Sequence, residues 1–113
     1  MKMTNLFKLA SFLFIIATPA FAQLDDFDYE VCKGIENLAE RVMMGRQMGI
    51  SQIEVRRTIM PIAEEADLGF IVDGIITGAY NRPMFSSDTI QQREILEFKD
   101  AWANFCLSAR AGG

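Results

Sequence analysis

The sequence contains no histidine. This absence excludes acid–base catalysis by imidazole, metal coordination by imidazole and a histidine-based pH switch. The chain also has neither a G-x-S-x-G nor an S-x-x-K motif, so nucleophilic catalysis by serine is not indicated. Its two cysteines do not form a C-x-x-C motif, which argues against a dithiol redox centre. The commonest catalytic chemistries are therefore missing, and the expected protein is not an enzyme.

Basic residues are fewer than acidic ones, and two of them lie in an amino-terminal targeting segment. Lys2 and Lys8 precede an apolar run over 9–17, and the letters TPAFA follow over 18–22. A basic region, a short apolar region and an A-x-A site in this order predict a signal peptide cleaved after Ala22. The apolar run is shorter than the roughly 20 residues of a membrane span, which makes an uncleaved anchor the less favoured alternative. We therefore expect a periplasmic or secreted protein.

Cleavage would divide the chain into a signal peptide, 1–22, and a single helical domain, 23–113. Of 11 basic residues the domain keeps nine against 15 acidic ones, a formal charge of −6. Nucleic-acid binding needs clustered cations, so no nucleic-acid partner is expected. We also expect no cofactor, no bound metal and no membrane span after cleavage, with a protein as the partner and the oligomeric state left open.

The domain is predicted to be all-α, a small bundle of about four helices closed by one disulfide. A first helix, capped by Asp28, is expected to run to about Met48, because apolar residues recur at helical spacing over 31–42. Gly49 is its expected stop. A capping box at Ser51 predicts a second helix over about 52–66 with an apolar stripe of Val55, Ile59, Ile62 and Ala66.

Two prolines limit the predicted helices in the rest of the domain. Pro61 predicts a kink or a split in the second helix. The apolar stretch 68–80 is predicted to be a buried helix, with a strand as the alternative, and Pro83 ends it. A last helix capped at 86–88 is expected to reach about Ala109, with an aromatic-rich stripe of Ile95, Phe98, Trp102, Phe105 and Cys106.

The cysteines are the clearest structural pair in the sequence. Cys32 lies near the start of the first predicted helix and Cys106 near the end of the last. Two cysteines in an exported protein most often pair, so we predict a Cys32–Cys106 disulfide that joins the two ends of the bundle.

Three further groups of residues are candidates for packing or recognition. Tyr80, Arg82 and Phe85 flank Pro83, and they predict either a partner-binding site or, the favoured alternative, a loop held on the bundle by stacking. Gly74 and Gly78 indicate close approach of a neighbouring helix. Three methionines are expected in the core, with an adaptable binding surface as the alternative: Met43, Met44 and Met48.

Several short stretches resemble a group of small exported proteins of proteobacteria and their phages or prophages. They are AYNRPMF over 79–85, QQR over 91–93 and RQMG over 46–49, together with Phe98 and the two cysteines. The resemblance implies a single-disulfide helical domain. The group has no established activity, so the resemblance implies no catalytic residue.

The sequence leaves three functions open. The favoured one is a periplasmic binding protein that acts on an envelope component, with an inhibitory or protective effect. The second is a chaperone of the periplasmic acid-stress type, triggered by protonation of Glu64, Glu65, Asp67 and Asp73 beside an apolar element. The third is an enzyme with a carboxylate site that no motif marks.

Overall fold

The computed structural model describes residues 23–112, so the predicted signal peptide lies outside the described residues. That range is helical throughout, apart from short connections, and contains no strand. Its helices are α1 (Asp26–Gln47), α2 (Gln52–Glu65), α3 (Gly69–Tyr80) and α4 (Asp88–Gly112). The predicted all-α bundle is confirmed, as is the choice of helix over strand for 68–80.

Helix α1 begins earlier than expected, because Asp25 rather than Asp28 is its cap. The Asp25 carboxylate accepts the Asp28 N–H at 2.8 Å, and the Asp28 carboxylate accepts the Asp25 N–H at 3.2 Å. This reciprocal pair is a capping box and satisfies two of the free donors at the helix start. Asp28 therefore lies inside the first turn, and the predicted cap is wrong by three residues.

Gly49 ends α1 as predicted. Its φ of +81° lies in the left-handed region that favours glycine. The Gly49 N–H donates to the Arg46 carbonyl at 3.1 Å, and the Ile50 N–H donates to the Gly45 carbonyl at 3.0 Å. These two bonds form a Schellman motif, which turns the chain sharply into the connection before α2.

Helix α2 passes through Pro61 without interruption, so the predicted split is wrong. Its cap is Ser51, whose hydroxyl accepts the Glu54 N–H at 3.2 Å. A second Schellman motif ends it, with the Leu68 N–H donating to the Ala63 carbonyl at 2.7 Å. There the left-handed position is occupied by Asp67, whose φ is +60°.

The core lies where α1 packs against α4 and α3, while α2 packs mainly on α3. Gly74 and Gly78 allow close approach, as predicted, because a β-carbon on them would lie 3.2 Å from the Trp102 ring and 3.5 Å from the Phe98 ring. The buried apolar side chains come from all four helices: Cys32, Ile35, Ala39, Val42, Met43, Val55, Ala63, Val72, Ile75, Ile76, Ala79, Ile95, Phe98 and Cys106.

Some apolar residues expected to be buried lie on the surface. Phe70 is 96% exposed, Ile62 69% and Phe105 56%. The predicted stripes follow the helical period correctly, but α2 lies over α3 and leaves one side of its own apolar face without a neighbour. On that helix the buried residues are Val55 and the unpredicted Ala63.

The predicted Cys32–Cys106 disulfide is present. Its Cα atoms lie 5.5 Å apart, and it joins α1 to α4 across 74 positions of sequence. Two ion pairs reinforce the same contact, Lys99 to Glu40 at 2.7 Å and Arg110 to Asp28 at 2.5 Å. The covalent link and the ion pairs together fix the two longest helices side by side.

Candidate functional site

The connection between α1 and α2 is tied to the connection between α3 and α4 by one buried side chain. Gln47, at the end of α1, is 5% exposed. Its amide nitrogen donates to the Pro83 carbonyl at 2.9 Å, and its amide oxygen accepts the Phe85 N–H at 2.9 Å. Both ends of the amide are therefore used to hold a segment 36 to 38 residues away.

Arg46 and Tyr80 add a second tie between the same segments. The Arg46 Nε donates to the Arg82 carbonyl at 3.0 Å, and its guanidinium lies 5.3 Å from the centre of the Tyr80 ring. The Tyr80 hydroxyl donates to the Ile50 carbonyl at 2.6 Å. Partial burial raises the pKa of Tyr80 and the Arg46 charge opposes that shift, so the hydroxyl keeps its proton at neutral pH.

The three predicted partner-binding residues lie in this region, but their polar groups are engaged inside the chain. Besides the Tyr80 bond, the Arg82 guanidinium donates to Glu94 at 2.9 Å and lies 5.4 Å from the centre of the Phe98 ring. Phe85 is half-buried, and its carbonyl accepts a hydrogen bond from Gln91. These are the contacts of a loop held on the bundle, the alternative that the sequence favoured; direct partner contact by the three residues stays a prediction.

Apolar side chains project from the two tied segments. We call this group the connector surface: Met44, Met48, Ile50 and Met84, with exposed fractions of 40%, 74%, 43% and 51%. The two halves are in contact, because the Met84 methyl group lies 3.6 Å from where a β-carbon on Gly49 would be. Met43 is fully buried, so the methionines divide between core and surface.

The connector surface combines adaptable side chains with a fixed backbone, a combination suited to binding a partner. Methionine side chains are flexible and polarisable and adapt to a partner, whereas the hydrogen bonds beneath them hold the backbone in place. The group has no ionisable side chain. Exposed apolar patches on a protein surface are often protein–protein contacts.

The described part of the chain contains neither a metal-binding cluster nor a membrane-spanning helix. Residues 23–112 contain no cluster of three or more acidic or cysteine side chains arranged to hold a metal ion. None of the helices described is both long enough and apolar enough to cross a membrane.

Comparison with protein-family models, with curated proteins and with solved structures finds no match to this chain. The class of the protein therefore rests on its own geometry, which is that of a small all-α bundle with one disulfide and a tied, apolar connector surface.

Proposed function

We propose that this chain is an exported binding protein of the cell envelope that recognises a protein partner through the connector surface. The observation that carries the proposal is the contrast between the exposed side chains and their support. Met48 and Met84 are each more than half exposed, yet the segments that bear them are pinned by the buried amide of Gln47. A rigid backbone lowers the entropy lost on binding.

Export is supported by two features of different kinds. The amino-terminal pattern of basic, apolar and A-x-A segments is that of a cleavable signal. A disulfide is typical of an oxidising compartment such as the periplasm. Expression of the full chain in a Gram-negative host tests this part. We expect it in the periplasmic fraction, with Gln23 at its amino terminus and no free thiol; full-length protein with free thiols in the cytoplasm would contradict export.

Binding through the connector surface is tested with a matched pair of substitutions. Met84 and Leu96 are each 51% exposed, but Leu96 lies on α4, outside the connector surface. The domain, immobilised and exposed to a periplasmic extract, is expected to retain a specific protein in its wild-type and Leu96→Asp forms and to lose it in the Met84→Asp form. Equal retention by both variants would refute the proposed surface. An Arg82→Ala variant keeps the carbonyl that accepts the Arg46 hydrogen bond, so its retention of the partner tests whether the Arg82 side chain contacts the partner directly.

A second function, acid-triggered chaperoning, is favoured by the way α2 is attached. Only two of its residues, Val55 and Ala63, are buried. Its polar link to α3 is Arg56, which donates to Asp73 at 2.6 Å and to Thr77 at 2.9 Å. Protonation of Asp73 would remove the ion pair and loosen α2, exposing apolar surface. Suppression of a client's aggregation at about pH 2–3 by the wild type, and already at neutral pH by an Asp73→Asn variant that lacks the ion pair, would support it. A domain that stays compact and inactive in acid would exclude it.

A further inference from the structure

An apolar groove lies between α1, α2 and α3, and none of its lining residues belongs to the connector surface. We call it the interhelical groove; its volume is about 250 Å³ and it is lined by Leu38, Thr58, Ile59, Ile62, Ala63, Ala66, Leu68 and Val72. The polar side chain among these is satisfied, because the Thr58 hydroxyl donates to the Glu54 carbonyl at 3.0 Å. The groove therefore offers apolar contact and no unpaired polar group of its lining side chains.

The groove opens to solvent along α2. Ile62 is 69% exposed and Leu68, at the turn into α3, is 41% exposed. Exposed branched side chains beside a recess give an entering apolar residue contact on more than one side. Grooves of this form between helices accept the apolar face of an amphipathic helix. A strand is a poorer occupant, because residues 23–112 contain no strand whose edge it could extend.

The charge around the α2 end of the groove is negative. From Thr58 to Tyr80 the chain has four acidic residues and no basic one. Within residues 23–112, Asp73 pairs with Arg56, whereas Glu64, Glu65 and Asp67 form no ion pair. Two of these unpaired carboxylates, Glu65 and Asp67, directly flank Ala66 of the groove lining.

The helix dipole adds to this negative charge. The carboxyl end of a helix carries partial negative charge, and basic side chains there are favourable. The last turn of α2 has no basic residue and instead contains Glu64 and Glu65. Cationic side chains of a partner would therefore supply compensation that the chain itself does not provide at this end.

We propose that the interhelical groove binds a cationic amphipathic helix of a partner protein, with its apolar face in the groove and its Lys or Arg side chains over the carboxyl end of α2. The occupant is distinguished by charge from other apolar ligands. An anionic lipid surface would be repelled by the same carboxylates. The site is independent of the connector surface, so either proposal can fail without the other.

The probe is a synthetic leucine–lysine peptide patterned as an amphipathic helix, compared with its leucine–glutamate counterpart. Titration of a labelled peptide with the purified disulfide-bonded domain, read by fluorescence anisotropy, is expected to show binding of the lysine peptide only. Added salt should weaken that binding, because exposed charges are screened. Absence of binding by the lysine peptide, or equal affinity for both peptides, would overturn the proposal.

Two variants locate the binding. Ile62 and Ile53 both lie on α2 and are 69% and 68% exposed, and of the two Ile62 alone lines the groove, so Ile53→Asn is a matched control for Ile62→Asn. The first should weaken peptide binding by about tenfold or more, since it removes a large apolar contact, and the second should not. Replacing Glu64, Glu65 and Asp67 with their amides should weaken binding and flatten its salt dependence. Equal affinities for the two isoleucine variants would refute the groove as the site.

Two other occupants are tested with the same variants. Sedimentation of the wild-type domain would reveal a dimer if a second copy filled the groove, and flotation with phosphatidylglycerol vesicles would reveal a lipid-binding face. If the proposal is correct, the domain neither dimerises through the groove nor binds the vesicles. A dimer, or vesicle binding, that Ile62→Asn abolishes and Ile53→Asn preserves would overturn it.

Discussion

Replacing Gln47 with methionine should loosen the connector surface while leaving its exposed side chains unchanged. Methionine has a similar length and no hydrogen-bonding amide, so the substitution removes both bonds to the 81–87 connection. The Pro83 carbonyl and the Phe85 N–H then lose their partners in a partly buried region. Each loss costs about 1–2 kcal/mol, since water replaces a partner only in part.

The expected decrease in the free energy of unfolding is therefore about 2–4 kcal/mol, measured by urea denaturation of the oxidised domain. A matched control is Gln52→Met. The Gln52 side chain is exposed and accepts one bond from Arg56 at 3.0 Å. A surface change of this kind should alter the free energy of unfolding by less than about 0.5 kcal/mol.

Amide hydrogen exchange separates a local effect from a global one. In the Gln47→Met variant, the Phe85 amide should exchange faster than the loss of global stability alone explains, because its acceptor is gone. The reasoning would be refuted if Gln47→Met and Gln52→Met were equally stable and the Phe85 amide kept its protection.

Three further predictions concern the bundle itself. Replacing Cys32 and Cys106 with serine should cost about 4–5 kcal/mol of stability, by the loop entropy of a 74-residue separation, measured by urea denaturation with reduced wild type as control. Asp67→Gly should stabilise by about 1 kcal/mol in thermal unfolding, because glycine fits the φ of +60° and a charge at the carboxyl end of α2 is removed; unchanged stability would contradict this. The hydrogen bond from Arg110, together with hydrogen bonds from Asp25, holds the pKa of Asp28 below its usual 3.8. The ionised Asp28 carboxylate therefore stabilises the folded domain above pH 3.8, and this contribution is lost as the pH falls through the lowered pKa. Asp28→Asn should therefore flatten that acid-side fall in stability, and an unchanged pH profile would count against the pair.

Most of the architecture follows from local patterns in the sequence. The helical spacing of Ile35 and Val42, the turn at Gly49 and the cap at Ser51 each specify structure within a few residues, and each agrees with the observed helices. The disulfide followed from the number of cysteines and the expected compartment. These features are predictable because one segment contains the whole physical cause.

The errors arise where neighbouring choices are close in energy or depend on distant contacts. Asp25 and Asp28 are both competent caps, and the reciprocal bonds between them decide the start of α1. The exposure of Ile62 and Phe70 depends on how α2 and α3 lie against the other helices, which periodicity along one helix does not specify.

The candidate site was only partly predictable for the same reason. Tyr80, Arg82 and Phe85 indicated the correct connection, but no local signal marks Gln47 as the residue that holds it. A glutamine at the end of a helix is ordinarily exposed, and its burial here results from partners 36 and 38 residues away. The apolar residues of the connector surface likewise become one surface only when the two connections meet.

Site-specific photo-crosslinking tests the proposed binding surface most directly. A photoreactive phenylalanine analogue placed at Met84, in cells that export the protein, is expected to form a discrete covalent adduct with one partner protein. The same analogue at Leu96, which is equally exposed at 51%, should form none. Adducts of the same size and yield from both positions, or none from Met84, would contradict the account.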